Sequence, residues 1–152
     1  FCSVNNKDSH IHVQNVQLLV NGELNKKPIL CFDKIDIIIE VMLNISLQDI
    51  IISMVVKNSD KEIVFMSEIN DDDDGVNPES SGLYKIKTFI PNPLLKPSKY
   101  SLTIGTNSQS MGQLNHFEDI IYFEIIDINT NRDQRPGFIY QKITWSVEKV
   151  SY

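Results

Sequence analysis

The chain has 152 residues, of which 41% are hydrophobic and 22% are charged. This is the length of one domain, and such a domain buries roughly 70% of the surface of its unfolded chain. The formal net charge of −6 argues against binding to nucleic acid or to an anionic membrane, since both require clustered lysine and arginine. No apolar run approaches the ~20 residues of a membrane-spanning helix, so we expect a soluble domain.

The composition favours strands over helices. The chain contains no alanine and 22 isoleucines. Alanine is the strongest helix former, whereas isoleucine is enriched in strands. A mainly helical protein is therefore close to excluded.

An alternation of apolar and other residues with a period of two runs through most of the chain. It is longest from Ile35 to Leu47, where every second residue is apolar, as expected of a strand with one buried face. The same pattern predicts about eight strands, at 16–20, 35–47, 50–56, 62–69, 84–90, 100–104, 121–125 and 139–147. We therefore predict an all-β fold, an antiparallel β-sandwich of about eight strands, immunoglobulin-like or jelly-roll-like.

The segments between these strands are rich in polar residues and proline. Segment 91–97 contains three prolines and cannot be a central strand, because proline lacks a ladder donor. It is predicted to cross between the sheets. Segments 107–115 and 129–136 are predicted to be polar loops at the rim of a binding face.

The ends and the cysteines bear on domain organisation. Residues 1–9 are predicted to be a linker or tail, and 10–152 to form the sandwich. The chain opens on Phe1, and no signal peptide follows, so we expect a segment of a longer polypeptide. Cys2 and Cys31 fall short of the disulfide framework of small secreted domains, which favours free thiols in a reducing compartment over a single bridge.

Few residues point to catalysis or to a metal. His10 and His12 would share one face of a strand, but His116 is distant in sequence, so a zinc site is disfavoured and no cofactor is predicted. The glycines form no phosphate-binding loop. The acidic run 70–75 matches part of a calcium loop but has Ser81 where a bidentate glutamate is needed, and it is interpreted as a solvated loop.

The outward faces of the strands remain as candidate binding surfaces. Sugars are bound by an aromatic ring that covers their C–H face, together with short polar or charged groups that hold hydroxyls. The candidate carbohydrate-binding residues in this pattern are Ser101, Thr103, Tyr122, Glu124, Tyr140, Lys142 and Thr144.

The order of these features resembles the C-terminal domain of the ATP-binding subunit of polysaccharide ABC exporters, the Wzt type that handles O-antigen. The resemblance extends from about Ser9 to Val147. It rests on strand 13–19 before Asn21-Gly22, segment 32–37, hairpin strand 62–67 with the Asp-rich loop after it, crossover 90–102 and the closing segment 135–145. In the crossover, Ser98 occupies the position of the family's usual glycine. Tyr100 is expected to be a corner tyrosine and Trp145 a buried anchor.

The resemblance implies a non-enzymatic, sugar-recognising module behind an ATPase domain. The implied partners are a polysaccharide, the ATPase domain and the transmembrane permease of the parent exporter, and a second copy in a homodimer, sometimes with an exchanged terminal strand. The implied location is cytoplasmic, peripheral to the inner membrane through the transporter. Two alternatives stay open: an immunoglobulin-like adhesion module of the cell surface, and a metal-dependent enzyme that uses the three histidines.

Overall fold

The computed structural model describes residues 2–3, 10–71, 78, 80–128, 134–140 and 143–148. In this part of the chain we find ten strands and a short 3-10 helix, Ile69–Asp71. The strands are β1 Cys2–Ser3, β2 Ile11–Val20, β3 Glu23–Leu24, β4 Ile29–Leu30, β5 Ile35–Leu43, β6 Ile50–Asn58, β7 Ile63–Glu68, β8 Gly82–Ile90, β9 Ser98–Ser108 and β10 Gly112–Ile126. Among these residues, no helix has the length and apolar character needed to cross a membrane.

The strands form two sheets that share one hydrophobic core. The first sheet has the order β1-β2-β5-β8, with β3 paired to the end of β2, and the second has the order β4-β10-β9-β6-β7. The pairs are antiparallel apart from the short parallel pair of β4 with β10. The predicted all-β sandwich is confirmed.

The alternation in β5 places its apolar face in the core. Its odd-numbered residues from Ile35 to Leu43 are all buried, and they lie opposite apolar residues of β2 such as Val16 and Val20. Successive strand side chains point to opposite faces, so the even-numbered residues face away from the second sheet. The strand ends at Leu43, four residues before the predicted end.

Two expectations about the crossover are confirmed. Segment 91–97 leads from β8 in the first sheet to β9 in the second. The buried Tyr100 donates a hydrogen bond from its hydroxyl to the carbonyl of Lys96, 2.8 Å away, which is the contact expected of a corner tyrosine. Ser98 is not among the residues with positive φ, so the serine needs no left-handed backbone there.

The predicted strand at 139–147 is wrong. Ile139 makes an isolated bridge to Leu95, and residues 143–148 form no strand. Trp145 is 86% exposed, so its expected role as a buried anchor is also wrong. The reason is that neither sheet pairs with segment 143–148 in the described part of the chain, which leaves its apolar side chains without a surface to pack on.

The predicted polar loop at 107–115 is a tight hairpin instead. β9 and β10 continue through most of it, and only residues 109–111 form the turn. The polar residues fit into strands because their side chains are hydrogen-bonded. Asn115 donates to the carbonyl of Ile11 (3.1 Å), and Ser108 donates to the Asp49 carboxylate (2.9 Å).

Features predicted near the ends are described only in part. Cys2 and Ser3, within the predicted tail, pair with β2. The expected thiol is found at Cys31, which is buried and donates to the carbonyl of Ile126 at 3.4 Å. Residues 129–133 of the predicted second loop lie outside the described residues.

Candidate functional site

The candidate site lies on the side of the second sheet that faces away from the core, around a bulge in β10. Phe117 pairs with Ile104 and Ile121 pairs with Leu102, so three residues, 118–120, lie opposite Thr103 alone. Such an insertion locally bends a strand and redirects its side chains. We call residues 118–120 the β10 bulge. Asp119, at its centre, has a left-handed backbone with φ 52°, which a non-glycine residue rarely adopts.

The β10 bulge covers two of the predicted binding residues. Ser101 and Thr103 are only 2% and 1% exposed, so the expectation that they face solvent is wrong. Ser101 donates from its hydroxyl to Asp119 Oδ1 at 2.6 Å, and the backbone N–H of Asp119 donates to Thr103 Oγ1 at 3.1 Å. These two side chains hold the bulge against β9.

Tyr122 and Glu124 follow the bulge and project outward as predicted. Tyr122 lies opposite Ser101, and Glu124 lies opposite Lys99. The Tyr122 side chain is 67% exposed, and Glu124 is also exposed. An aromatic ring and a carboxylate two residues apart on one strand therefore share the same solvent-facing surface.

The turn between β6 and β7 brings a lysine onto the Tyr122 ring. Asn58 fixes the turn, because its side-chain oxygen accepts hydrogen bonds from the backbone N–H groups of Asp60 and Glu62, both at 2.9 Å. Lys61, with φ 65°, places its ammonium 2.6 Å from Asp119 Oδ2 and 5.0 Å from the centroid of the Tyr122 ring. This is within the range of a cation–π contact. We call Lys61, Ser101, Asp119 and Tyr122 the Tyr122 cluster.

The charged contacts of the surface reinforce one another. The hydrogen bond from Lys61, followed by that from Ser101, holds the pKa of Asp119 below its ordinary value, and the same Lys61–Asp119 contact raises the pKa of Lys61. Lys57 lies 2.7 Å from Glu118 and lowers the pKa of that carboxyl. These shifts favour the charged forms of Lys61, Asp119 and Glu118 at neutral pH.

A groove of about 560 Å³ opens beside Tyr122. Buried Tyr100 and Phe123, whose rings stack at 5.6 Å, contribute to its lining. Its remaining walls come from the approach to β4 and from the outward side chains of β9 and β10, namely Lys27, Pro28, Ile29, Lys99, Tyr122, Glu124 and Ile126. The surface thus combines an exposed ring, a recess and several charged groups, which together can hold a small polar ligand.

The other predicted residues lie elsewhere or outside the described chain. Tyr140 donates its backbone N–H to Leu94 at 2.6 Å, and its ring packs edge-on against Phe32, 6.3 Å between centroids. Thr144 is exposed in the segment that forms no strand. Lys142 lies outside the described residues. The structure therefore shows only Tyr122 and Glu124 of the predicted set exposed together on β10.

Comparison with known proteins identifies the family. The model of the Wzt C-terminal domain family matches residues 5–140. The chain belongs to this family. Wzt C-terminal domains are non-catalytic domains associated with polysaccharide ABC exporters. No curated protein matches the chain.

Solved structures agree with the fold of a Wzt domain. The crystal structure of the C-terminal domain of wzt superposes with a TM-score of 0.67 at 14% identity, over 85% of this chain and 83% of the other. A β-glucuronidase from Parabacteroides merdae reaches a TM-score of 0.42 at 14% identity, over 76% of this chain and 14% of the enzyme, which is too low to support an argument. The first match supports the β-sandwich.

Sequence reasoning missed four residues of this Wzt-domain surface: Lys27, Lys99, Lys61 and Asp119. The alternation in β10 is interrupted by the adjacent acidic residues Glu118 and Asp119, and this interruption is a signal of the bulge. For Lys61, the sequence indicates only that it follows a turn at Asn58-Ser59-Asp60. No sequence pattern connects it with Tyr122.

The histidines and the acidic run give no metal site in the described residues. Within them, no group of three or more His, Cys, Asp or Glu side chains is arranged to hold a metal ion. His12 lies on β2 of the first sheet between the buried Ile11 and Val13, so its side chain points away from the second sheet, which holds His116 on β10. Asp71 accepts hydrogen bonds from Ser67 and from the backbone N–H of Glu68, whereas residues 72–75 lie outside the described chain.

Proposed function

We propose that this Wzt C-terminal domain binds a polysaccharide of the O-antigen type and couples it to export. The observation that carries the proposal is the exposed Tyr122 ring beside a groove, on a domain that belongs to a family associated with polysaccharide export. An aromatic face covers the C–H face of a pyranose, and neighbouring carboxylates and ammonium groups exchange hydrogen bonds with its hydroxyls.

The Tyr122 cluster suits this role because the ring is held in place before a ligand arrives. Lys61 lies against one part of the ring and is itself anchored on Asp119. A side chain that is already ordered loses less conformational entropy when a ligand binds. Binding is nevertheless expected to be weak for a single sugar, because an open face buries little of the ligand.

The same proposal defines the partners of the domain. The glycan is the ligand, the ATPase domain and the permease belong to the parent exporter, and the domain works on the cytoplasmic side, peripheral to the inner membrane through the transporter. Nucleic acid is not a partner in this proposal, in keeping with the net charge of −6.

A second copy of the domain is also part of the proposal. Ile143, Trp145 and Val147 are exposed and alternate in segment 143–148, and β8 ends the first sheet with its outer edge unpaired by any described strand. An alternating apolar segment and an open sheet edge are complementary, because pairing supplies backbone hydrogen bonds to both. We therefore propose a homodimer in which segment 143–148 of one copy pairs with the other.

The test is binding of bacterial surface polysaccharides to the folded domain, on a glycan array and by NMR titration with the polysaccharide of the producing strain. Tyr122→Ala is expected to weaken binding roughly tenfold or more, which corresponds to about 1.4 kcal/mol. The matched control is Phe89→Ala, which removes a ring that is 59% exposed on the first sheet. Absence of detectable binding by the folded domain at millimolar glycan overturns the proposal. An equal loss of affinity in Tyr122→Ala and Phe89→Ala also overturns it.

A further inference from the structure

The lysines on the outer side of the second sheet fall into two groups, according to whether a carboxylate lies at salt-bridge distance among the described residues. Lys57 and Lys61 lie 2.7 Å and 2.6 Å from Glu118 and Asp119. Lys27 and Lys99 both line the groove beside Tyr122 and are exposed. Within the part of the chain that the structure describes, neither has a carboxylate at salt-bridge distance.

The register fixes the position of Lys99 relative to the ring. Lys99 lies opposite Glu124, and Tyr122 is two residues before Glu124 on the same strand. Tyr122 is therefore a diagonal neighbour of Lys99, at roughly 7–8 Å across the strand pair. Lys27 and Pro28 line the groove from the approach to β4, which pairs with β10 at Ile125.

This local charge contrasts with that of the whole chain. The chain carries a net charge of −6, yet the groove has two lysines and a single carboxylate, Glu124, among its described lining residues. A recess with an excess of positive charge in an acidic protein attracts anions preferentially, since nearby unpaired ammonium groups complement a negative ligand.

We propose that the groove selects an acidic sugar, a pyranose with a carboxylate or phosphate substituent. Lys27 and Lys99 hold the anionic substituent, the Tyr122 ring covers the C–H face of the pyranose, and Glu124 accepts hydrogen bonds from its hydroxyls. This inference rests on the proposed glycan-binding function and adds the class of sugar. A neutral sugar of the same shape leaves both ammonium groups without a partner and binds more weakly.

The test uses an array that carries three groups of bacterial glycans: neutral, uronic-acid-containing and phosphate-containing. The protein is probed at low and at high salt as the wild type, as Lys27→Gln/Lys99→Gln and as Lys85→Gln. Lys85 is an exposed lysine on the first sheet, so its variant removes charge away from the groove. We expect acidic glycans to be bound, binding to fall with salt, and the double variant to lose roughly threefold to tenfold in affinity while Lys85→Gln loses none.

The outcomes separate the two proposals. Binding to neutral glycans alone, or equal affinity of the wild type and the double variant for acidic ones, overturns the acidic-sugar inference and leaves glycan recognition standing. Absence of binding to all three groups by the folded protein overturns glycan recognition and this inference with it. If acidic glycans bind, a preference between the uronic-acid and phosphate groups identifies the substituent.

Discussion

The side chain of Tyr100 is buried, and its one polar atom, the hydroxyl oxygen, is hydrogen-bonded to a nearby residue of the chain. Its hydroxyl donates to the Lys96 carbonyl and its ring stacks on Phe123. Burial raises the pKa of Tyr100 from 10.0 to about 12, because the phenolate would lose its hydration. The neutral form is therefore the one that the fold requires.

Tyr100→Phe is expected to lower the free energy of unfolding by about 1–2 kcal/mol, since the ring stays but the carbonyl of Lys96 loses its donor. The folded pKa is above the unfolded one, so the contribution of the phenol is complete below pH 10 and is lost as the pH rises from about 10 to about 12. The variant should lose less stability than the wild type over that interval. Urea denaturation at pH 7 and at pH 11 measures both effects, and Tyr122→Phe is the control because that hydroxyl is exposed. Identical urea midpoints for Tyr100→Phe and the wild type would contradict this role.

The Lys61–Asp119 pair predicts how the Tyr122 cluster responds to pH. The folded pKa of Asp119 is lowered, so the pair is complete above the ordinary carboxyl pKa and is lost as the pH falls through the lowered value. The folded pKa of Lys61 is raised, so the pair persists until the pH exceeds the ordinary lysine range. We expect the NMR shifts of the Tyr122 ring protons to be constant from about pH 5 to about pH 9 and to move below about pH 4.

Asp119→Asn tests this interpretation without any ligand. The variant removes the negative charge at every pH. The ring protons of Tyr122 should therefore have, already at pH 7, the chemical shifts that the wild type shows in acid, and should show no further transition as the pH falls. Glu118→Gln is the control, because Glu118 pairs with Lys57 instead. A normal acid transition of the Tyr122 ring in Asp119→Asn would show that another group positions the ring.

At the scale of elements, the pairing of β9 with β6 depends on a glycine. Gly105 lies opposite Ser53, and a Cβ placed on Gly105 would be 2.6 Å from the Ser53 hydroxyl oxygen. Gly105→Ala is therefore expected to cost about 1–3 kcal/mol through overpacking. The measurement is urea unfolding of Gly105→Ala, Ser53→Ala and the double variant, and the double variant should recover part of the loss. If it is no more stable than Gly105→Ala, the contact with Ser53 is not the cause.

The stretches of strand that the sequence predicts well are those with uninterrupted alternation. Such stretches locate β2, β5, β6, β7 and β8 and the parts 100–104 of β9 and 121–125 of β10, since burial of one face requires the period of two. The tight hairpin at 109–111 was missed because buried polar residues such as Ser108 and Asn115 look like loop residues until their hydrogen-bond partners are known. The β10 bulge was missed because three inserted residues shift the alternation, and Ser101 was then assigned to solvent although the bulge covers it.

The sequence predicts the candidate site only where its residues follow the alternation of inward and outward side chains along a strand. Tyr122 and Glu124 come two residues apart on one strand, so the alternation alone places them outside. Lys61 and Asp119 meet over 58 residues of sequence through a turn and a bulge, and no local pattern encodes such a contact. Trp145 is expected to be a buried anchor at the end of the closing segment, but burial also requires a neighbouring surface.

At the scale of the whole molecule, Trp145 reports whether segment 143–148 finds a partner. It is the single tryptophan of the chain, so all tryptophan fluorescence of the protein comes from this residue. We expect emission typical of exposed indole at low concentration, a blue shift as concentration rises, and a parallel change in mass by light scattering. Ile143→Asp should abolish both changes, whereas Ile63→Asp, at a similarly exposed position on β7, should not. A constant spectrum accompanied by a constant monomer mass would contradict the proposed homodimer.

The parallel contact between β4 and β10 joins residues 29–30 to residues 125–126. β10 also lies between β4 and β9 inside the second sheet, so β4 cannot join the β9-β6-β7 part of this sheet until β10 has been synthesised. On the ribosome, a nascent chain that ends before β10 leaves the β9 edge without its β10 partner, lacks the core residues Phe123 and Ile125, and has no partner for β4. Such a chain should be held by chaperones and cleaved readily by protease, and protection should appear in one step once residue 126 has left the exit tunnel.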